Sequence, residues 1–322
     1  MAGRRRPGRF GRRCAAAIAV LELAGSLAAC GATPAYVGAP DGPTIAIGVA
    51  VDEPGVGWWH DGRFSGFDVT VARYVADALG YADKQIVFTP VTPQTASGLL
   101  GQGRADLLVS ALPVGESGRF VDARDAGYGT GNDAGDEAGN RSGSVSASTA
   151  GPGSDVPEDV RDGAEDAGSY LVAPQQLLVH RDDVRTMASM GSLAGKVVCT
   201  VLGSGGAAAL TKALPGVVVR PRPSYPQCLT ALMVGEADAV SADGAVLAGL
   251  ARGYGGDYLG IVRRPLASVA HGVRVKAGNA RLARKVNEAL RAMRRDGSWA
   301  RAVRTLEEET GYRVEAGLNG VG

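Results

Sequence analysis

The residues able to do chemistry are few and scattered in this 322-residue chain. Three histidines, His60, His180 and His271, show no metal-ligand spacing, and each reads as a surface or packing residue. Neither a Gly-x-Ser-x-Gly elbow nor a Walker loop occurs. One glycine motif lies between a predicted strand and a predicted helix. In VVCTVLGSGGAAAL, Gly203-x-Gly205-x-x-Ala208 has the form of a dinucleotide fingerprint, and Arg220 and Arg222 close the next strand. Such a turn has a simpler use. Its backbone N–H groups at Ser204, Gly205 and Gly206 can meet any anion, a substrate carboxylate included. The chemistry points to binding rather than to catalysis, with no metal and no cofactor expected.

The cysteines say where that binding takes place. MAGRRRPGRFGRR is arginine-rich and free of acids, and an apolar stretch of about 13 residues follows, shorter than the roughly 20 a spanning helix needs. This is the pattern of a secretory signal. Leu27-Ala28-Ala29-Cys30 also resembles the bacterial lipobox, in which cleavage precedes the cysteine and its sulfur carries a diacylglyceryl group. Cys30 is the expected lipidation site; an incidental cysteine in an ordinary signal is the other reading. Residues 1–29 are then the signal and 30–43, rich in Gly, Pro and Ala, a flexible tether. The mature chain is expected on the extracytoplasmic face of the cell membrane, where nicotinamide cofactors are not generally available. Two cysteines remain, Cys199 and Cys228, and in an exported chain they are expected to pair; two buried free thiols are the alternative. Net charge is +1 overall, but the leader carries much of the positive charge. The mature chain is acidic, which argues against nucleic acid.

The elements that must position these groups follow an α/β rhythm. TIAIGVAVD (44–52) reads as a buried strand, and a loop with Trp58 and Trp59 follows. GFDVTVARYVADALG (66–80) has helical spacing, with Asp68 placed to cap its start. Strands over 85–91 and 105–112 flank a short helix, which implies parallel pairing in an open sheet. Residues 129–169 break the rhythm: acidic, nearly free of aliphatics, they read as a disordered insert. Alternating strands and helices resume from residue 170, and helices over 279–295 and about 298–310 close the chain. The first of these carries Arg281, Arg284, Lys285, Arg291 and Arg295 opposite an apolar face. A solvated surface explains them, and docking to anionic lipid or a membrane partner is the other use.

The order of these parts resembles a known family. GFDVTVARYVADALG, RADLLVSALPVGESGRFVDA, SLAGKVVCTVLGSG, GEADAVSADGAVLAG and KVNEALRAMRRDGSWARAV are similar, in that order, to segments of the family-3 extracellular solute-binding proteins, the amino-acid receptors of bacterial ABC importers. The paired cysteines are similar to an actinobacterial glutamate/glutamine-binding subgroup. The resemblance implies a two-lobed periplasmic-binding-protein type II fold with two crossover strands. Lobe 1 would take 44–128, 170–176 (leading to the hinge) and 268–322, and lobe 2 would take 177–267. It implies an amino acid clamped between the lobes: Asp243 on the ammonium; Ser110 and the Ser204, Gly205 and Gly206 turn on the carboxylate; Trp58 or Trp59 against the ligand; Asp52 nearby. The family's carboxylate-binding arginine position holds Ser117, with Arg119 two residues on as its substitute. A monomeric, non-enzymatic receptor delivering ligand to an ABC permease is the expected function. A sensor on the same fold is the alternative. A cyclic-acid dehydratase, drawing on Asp52, Glu53 or Glu116, comes after it.

Overall fold

A computed structural model describes residues 42–111 and 164–319. The chain from Thr44 onward forms one compact unit. The first lobe begins with β1 (Ile45–Val49), whose β-branched residues Ile45, Ile47 and Val49 are buried on one face, with buried Gly48 on the other, as parallel strands covered by helices require. A small antiparallel sheet follows, made of β2 (Asp52–Glu53), β3 (Gly57–His60) and β4 (Arg63–Ser65). It replaces the loop expected here. Its hairpin turns on Asp61 and Gly62, both at positive φ, the Asp-Gly signal of a two-residue turn. Helix α1 (Phe67–Ala78), β5 (Ile86–Pro90), α2 (Ala96–Gly101) and β6 (Leu107–Ser110) complete the first βαβαβ unit.

The second lobe repeats the plan. After the crossover strand β7 (Ala164–His180) come β8 (Val197–Val201), α3 (Gly206–Ala213), β9 (Val218–Arg222), α4 (Tyr225–Met233), β10 (Ala239–Asp243) and α5 (Gly244–Leu250). The return crossover β11 (Leu259–Lys276) leads back to α6 (Ala280–Arg295) and α7 (Ser298–Thr310). All eight long strands share one sheet, in the order β5-β1-β6-β11-β7-β10-β8-β9. From either end the order reads the same: edge strand, first strand, third strand, then a crossover. β1 is parallel to β5 and β6, β8 is parallel to β9 and β10, and the crossovers run antiparallel to each other and to the third strands. The pattern is two like lobes joined through two long strands.

β7 starts at Ala164, so residues 164–169 belong to a strand and not to the expected acidic insert. Their polarity concealed them. β11 supplies the ladder, Asp166 pairs with Arg274 at 2.8 Å, and Ala167 is buried. Gly168, at φ 133°, lets α6 approach so closely that a Cβ would sit 3.0 Å from the Asn287 amide nitrogen. Residues 112–163, which hold the rest of that insert, lie outside the described residues.

Each lobe has its own apolar core. In the second, Leu177, Val179, Val198, Leu210 and Ala239 form a continuous cluster. Cys199 on β8 and Cys228 on α4 are bonded, with Cα atoms 5.4 Å apart, as the pairing argument expected.

Candidate functional site

The parallel strands of both lobes run toward the seam between them, so their C-terminal ends converge there. Those ends place Asp52 beyond β1, Ser110 on β6, the 203–206 turn beyond β8, and Asp243 on β10. The lobes meet across this seam. The Asp52 carboxylate accepts the Tyr225 N–H of α4 at 3.0 Å, and the Gln94 amide donates to the Leu202 carbonyl at 2.7 Å. Gly249 of α5 lies so close to Pro54 that a Cβ there would collide with the Pro54 carbonyl oxygen.

Asp243 is only 3% exposed. As N-cap of α5 its Oδ1 accepts the N–H groups of Ala245 and Val246 at 3.0 and 3.1 Å. Its Oδ2 lies 3.4 Å from Nε2 of His271, whose Nδ1 is 3.5 Å from Asp68. His271 is therefore no packing residue. It is a fully buried imidazole on β11, held between a first-lobe and a second-lobe carboxylate. Asp68 does not cap α1, whose N-cap is Gly66; it sits in the first turn, buried and facing His271. Glu53 and the Tyr170 and Tyr312 hydroxyls are also buried, and several of these polar atoms have no hydrogen-bond partner among the described residues.

The charges follow from this packing. Burial opposes the imidazolium, but Asp243 and Asp68 outweigh it and hold the His271 pKa well above the usual histidine value. Burial likewise opposes the Asp243 carboxylate, yet His271 and the two helix N–H groups pull its pKa below the ordinary value. Glu53 goes the other way. Burial, and then the charges of Asp52, Asp68 and Asp243, push its pKa well above the ordinary glutamate value. Burial also raises Asp52, partly offset by the Tyr225 N–H.

The remaining candidates divide. Ser110 is 4% exposed and its hydroxyl has no partner among the described residues. At the glycine turn, Ser204 donates to the Val201 carbonyl at 2.7 Å, and its backbone N–H bonds the same carbonyl. The Gly206 N–H bonds the Ser204 hydroxyl at 3.3 Å. Those two N–H groups are engaged within the turn, and Gly205 is the left-handed N-cap of α3. Gln175, missed in the sequence, braces the turn from β7 with bonds to Ser241 (2.8 Å) and the Gly206 carbonyl (3.3 Å). Trp58 stacks on His60, centroids 4.3 Å apart, and lines a cavity of about 340 Å³ with Pro54, Gly249 and Thr310. Trp59 is 49% exposed and packs on Phe64. Neighbours on a strand face opposite ways, so the two tryptophans cannot share one wall. Cys30, Glu116, Ser117 and Arg119 lie outside the described residues, and no group suited to a metal occurs among those described.

Comparison with known structures decides the fold. The solute receptor for L-cysteine of Neisseria gonorrhoeae superposes with a TM-score of 0.63, covering 85% of this chain and 94% of that one at 21% identity. The type II fold of the amino-acid-binding proteins is the fold of this chain. The ancestral amino acid-binding protein AncCDT-1, a precursor of cyclohexadienyl dehydratase, matches with a TM-score of 0.61 over 83% of this chain and 95% of its own, at 20% identity. In sequence, the glutamate-binding protein GluB of Corynebacterium glutamicum is 26% identical over 323 residues, 96% of this chain and 95% of the relative. No family model matches the chain. Within the type II fold the seam described above is the cleft between the lobes.

Proposed function

We propose that the chain is an extracytoplasmic receptor, lipid-anchored at Cys30, that closes on a polar amino acid of the glutamate or glutamine kind and presents it to an ABC permease. The observation that supports it best is the convergence of four strand ends from two like lobes on one polar seam, in a chain similar to GluB over nearly its whole length. No helix among the described residues is long and apolar enough to cross a membrane.

In this reading the ligand carboxylate is held by the Ser110 hydroxyl, the turn at Ser204, Gly205 and Gly206, and Arg119. Asp243 takes the ammonium in competition with His271, with Asp52 beside it and Trp58 or Trp59 at the rim. Closure shifts the population toward the state the permease recognises, and the receptor works as a monomer. Glu53 is the group that would serve turnover of a cyclic acid, since burial raises its pKa. It is buried beneath the seam, however, and binding is the reading we adopt.

Thermal unfolding of the oxidised, anchor-free protein against amino acids at about 1 mM tests this. A ligand with a Kd of about 10 μM adds roughly 2.7 kcal/mol. The shift should fail in Ser110→Ala and in Asp243→Ala. A panel without any shift rules the receptor reading out.

A further inference from the structure

Helix α6 has two unlike faces. Leu282, Ala283, Val286, Ala289, Leu290 and Met293 are buried against the first-lobe sheet, α1 and α7. On the other face Arg281, Arg284, Arg291 and Arg295 are exposed and Lys285 is half-exposed. At 3.6 residues per turn these five cations fall within about a third of the circumference, along roughly 21 Å of axis. Glu288 is the only acid on the helix. The guanidinium groups of Arg281, Arg284 and Arg291 have no ion-pair or hydrogen-bond partner among the described residues. Arg294, on the flank, shows what a structural arginine here looks like. It donates to the Tyr170 and Asn319 carbonyls and stacks over Trp299.

The sheet register says what such a face would meet. Val275 of β11 pairs with Leu107 of β6, which pairs with Ile47 of β1. The start of α6 therefore lies at the end of the sheet where the chain enters from the tether, opposite the strand ends that form the cleft. The 14 residues from 30 to 43 reach at most about 50 Å and on average about 20 Å. A first lobe held within that distance of a bilayer presents a cationic helix to it at high effective concentration.

We propose that the cationic face of α6 docks the first lobe onto anionic phospholipid headgroups of the membrane that carries the chain. Docking is electrostatic and reversible, because the apolar face of α6 is already used in the core and cannot insert. The cleft, at the opposite end of the strands, stays open to solvent. The setting rests on the anchored-receptor reading, but the surface chemistry does not.

The test is co-sedimentation of the chain from residue 30 onward, carrying Cys30→Ser, with vesicles of 30% phosphatidylglycerol in phosphatidylcholine and with phosphatidylcholine alone. Binding to the anionic vesicles is expected in 50 mM salt, falling steeply by 300 mM as screening shortens its range. The triple variant R281E/R284E/R291E should bind at least tenfold more weakly with an unchanged melting temperature, and the corresponding triple lysine variant should still bind. Absence of binding to anionic vesicles, or equal binding by the glutamate variant, overturns the proposal. Vesicle binding by a chain that takes no amino acid would remove the receptor reading and leave this one standing.

Discussion

The interior of the second lobe and the seam at His271 are both fully buried, and they are held by opposite physics. In the lobe, Leu177, Val179, Val198 and Leu210 interdigitate without polar atoms, and a disulfide ties β8 to α4. At the seam, Glu53, Asp68 and Asp243 surround one imidazole, and their hydrogen bonding is incomplete. An apolar core tolerates small volume changes with graded losses. A buried ionic cluster does not, since removing one member strands the others. The chain puts its robust packing inside the lobes and its sensitive packing where the lobes meet.

The largest break in that contrast comes from His271→Ala. It leaves two buried carboxylates without a cation and should cost about 3–5 kcal/mol, read by chemical denaturation. His271→Gln, which keeps a donor, should recover part of it. If His271→Ala unfolds no earlier than the native chain, the seam is not ionic. On the lobe side, Cys199→Ser with Cys228→Ser should cost about 3–4 kcal/mol in the chain-entropy model for a sequence separation of 29. Reduction of the native chain should give the same loss, with ligand-free inter-lobe contacts unchanged.

Gly249→Ala sharpens the comparison differently. Alanine suits a helix better than glycine, so α5 itself is not weakened. The new methyl would meet the Pro54 carbonyl across the seam, so the lobes could not sit together as they do here. Stability should change by less than about 1 kcal/mol, while ligand affinity falls tenfold or more, equivalent to about 1.4 kcal/mol, by calorimetric titration. Equal affinity would show that this contact is not part of closure.

Next comes the pH response. His271 has a raised pKa, so its contribution is complete below the usual 6.5 and is lost as pH climbs through the folded value. Asp243 is depressed, so its contribution is present above 3.8 and lost as pH falls through its folded value. Glu53, raised from 4.5, adds a second decline that begins as pH rises above 4.5 and continues to its folded value. Stability should therefore decrease above pH 6.5 by up to about 1.4 kcal/mol per unit for the imidazole alone. His271→Gln should lack that part of the slope, measured by thermal melts from pH 5 to 9.

The same contrast explains what could be read in the sequence. Strands such as IAIGV and VVCTV and the two-faced α6 are legible because burial writes itself as a local apolar pattern. The cysteine pair was legible from its context. The β3–β4 hairpin has a signal in His60-Asp61-Gly62-Arg63, although the short stretch around it carries the pattern of a loop. Residues 164–169 had none, since their strand depends on β11, more than 100 positions away along the chain. His271 was illegible for the same reason. Its partners come from the first turn of α1 and the cap of α5, and nothing in the one-dimensional pattern brings three such residues together. Ser110 and Asp243 come from the family resemblance, but their burial, and the engagement of Asp243 by a histidine, belong to the folded chain alone.

The most direct test of the account is hydrogen exchange at the Tyr225 amide, which donates across the seam to Asp52. It would be followed with and without the amino acid that gives the largest thermal shift. Closure around a ligand predicts at least tenfold slower exchange in the peptide over 223–233 with ligand bound, and no such slowing in Gly249→Ala. Exchange at Tyr225 that is indifferent to every amino acid tried would contradict a cleft that closes on its ligand.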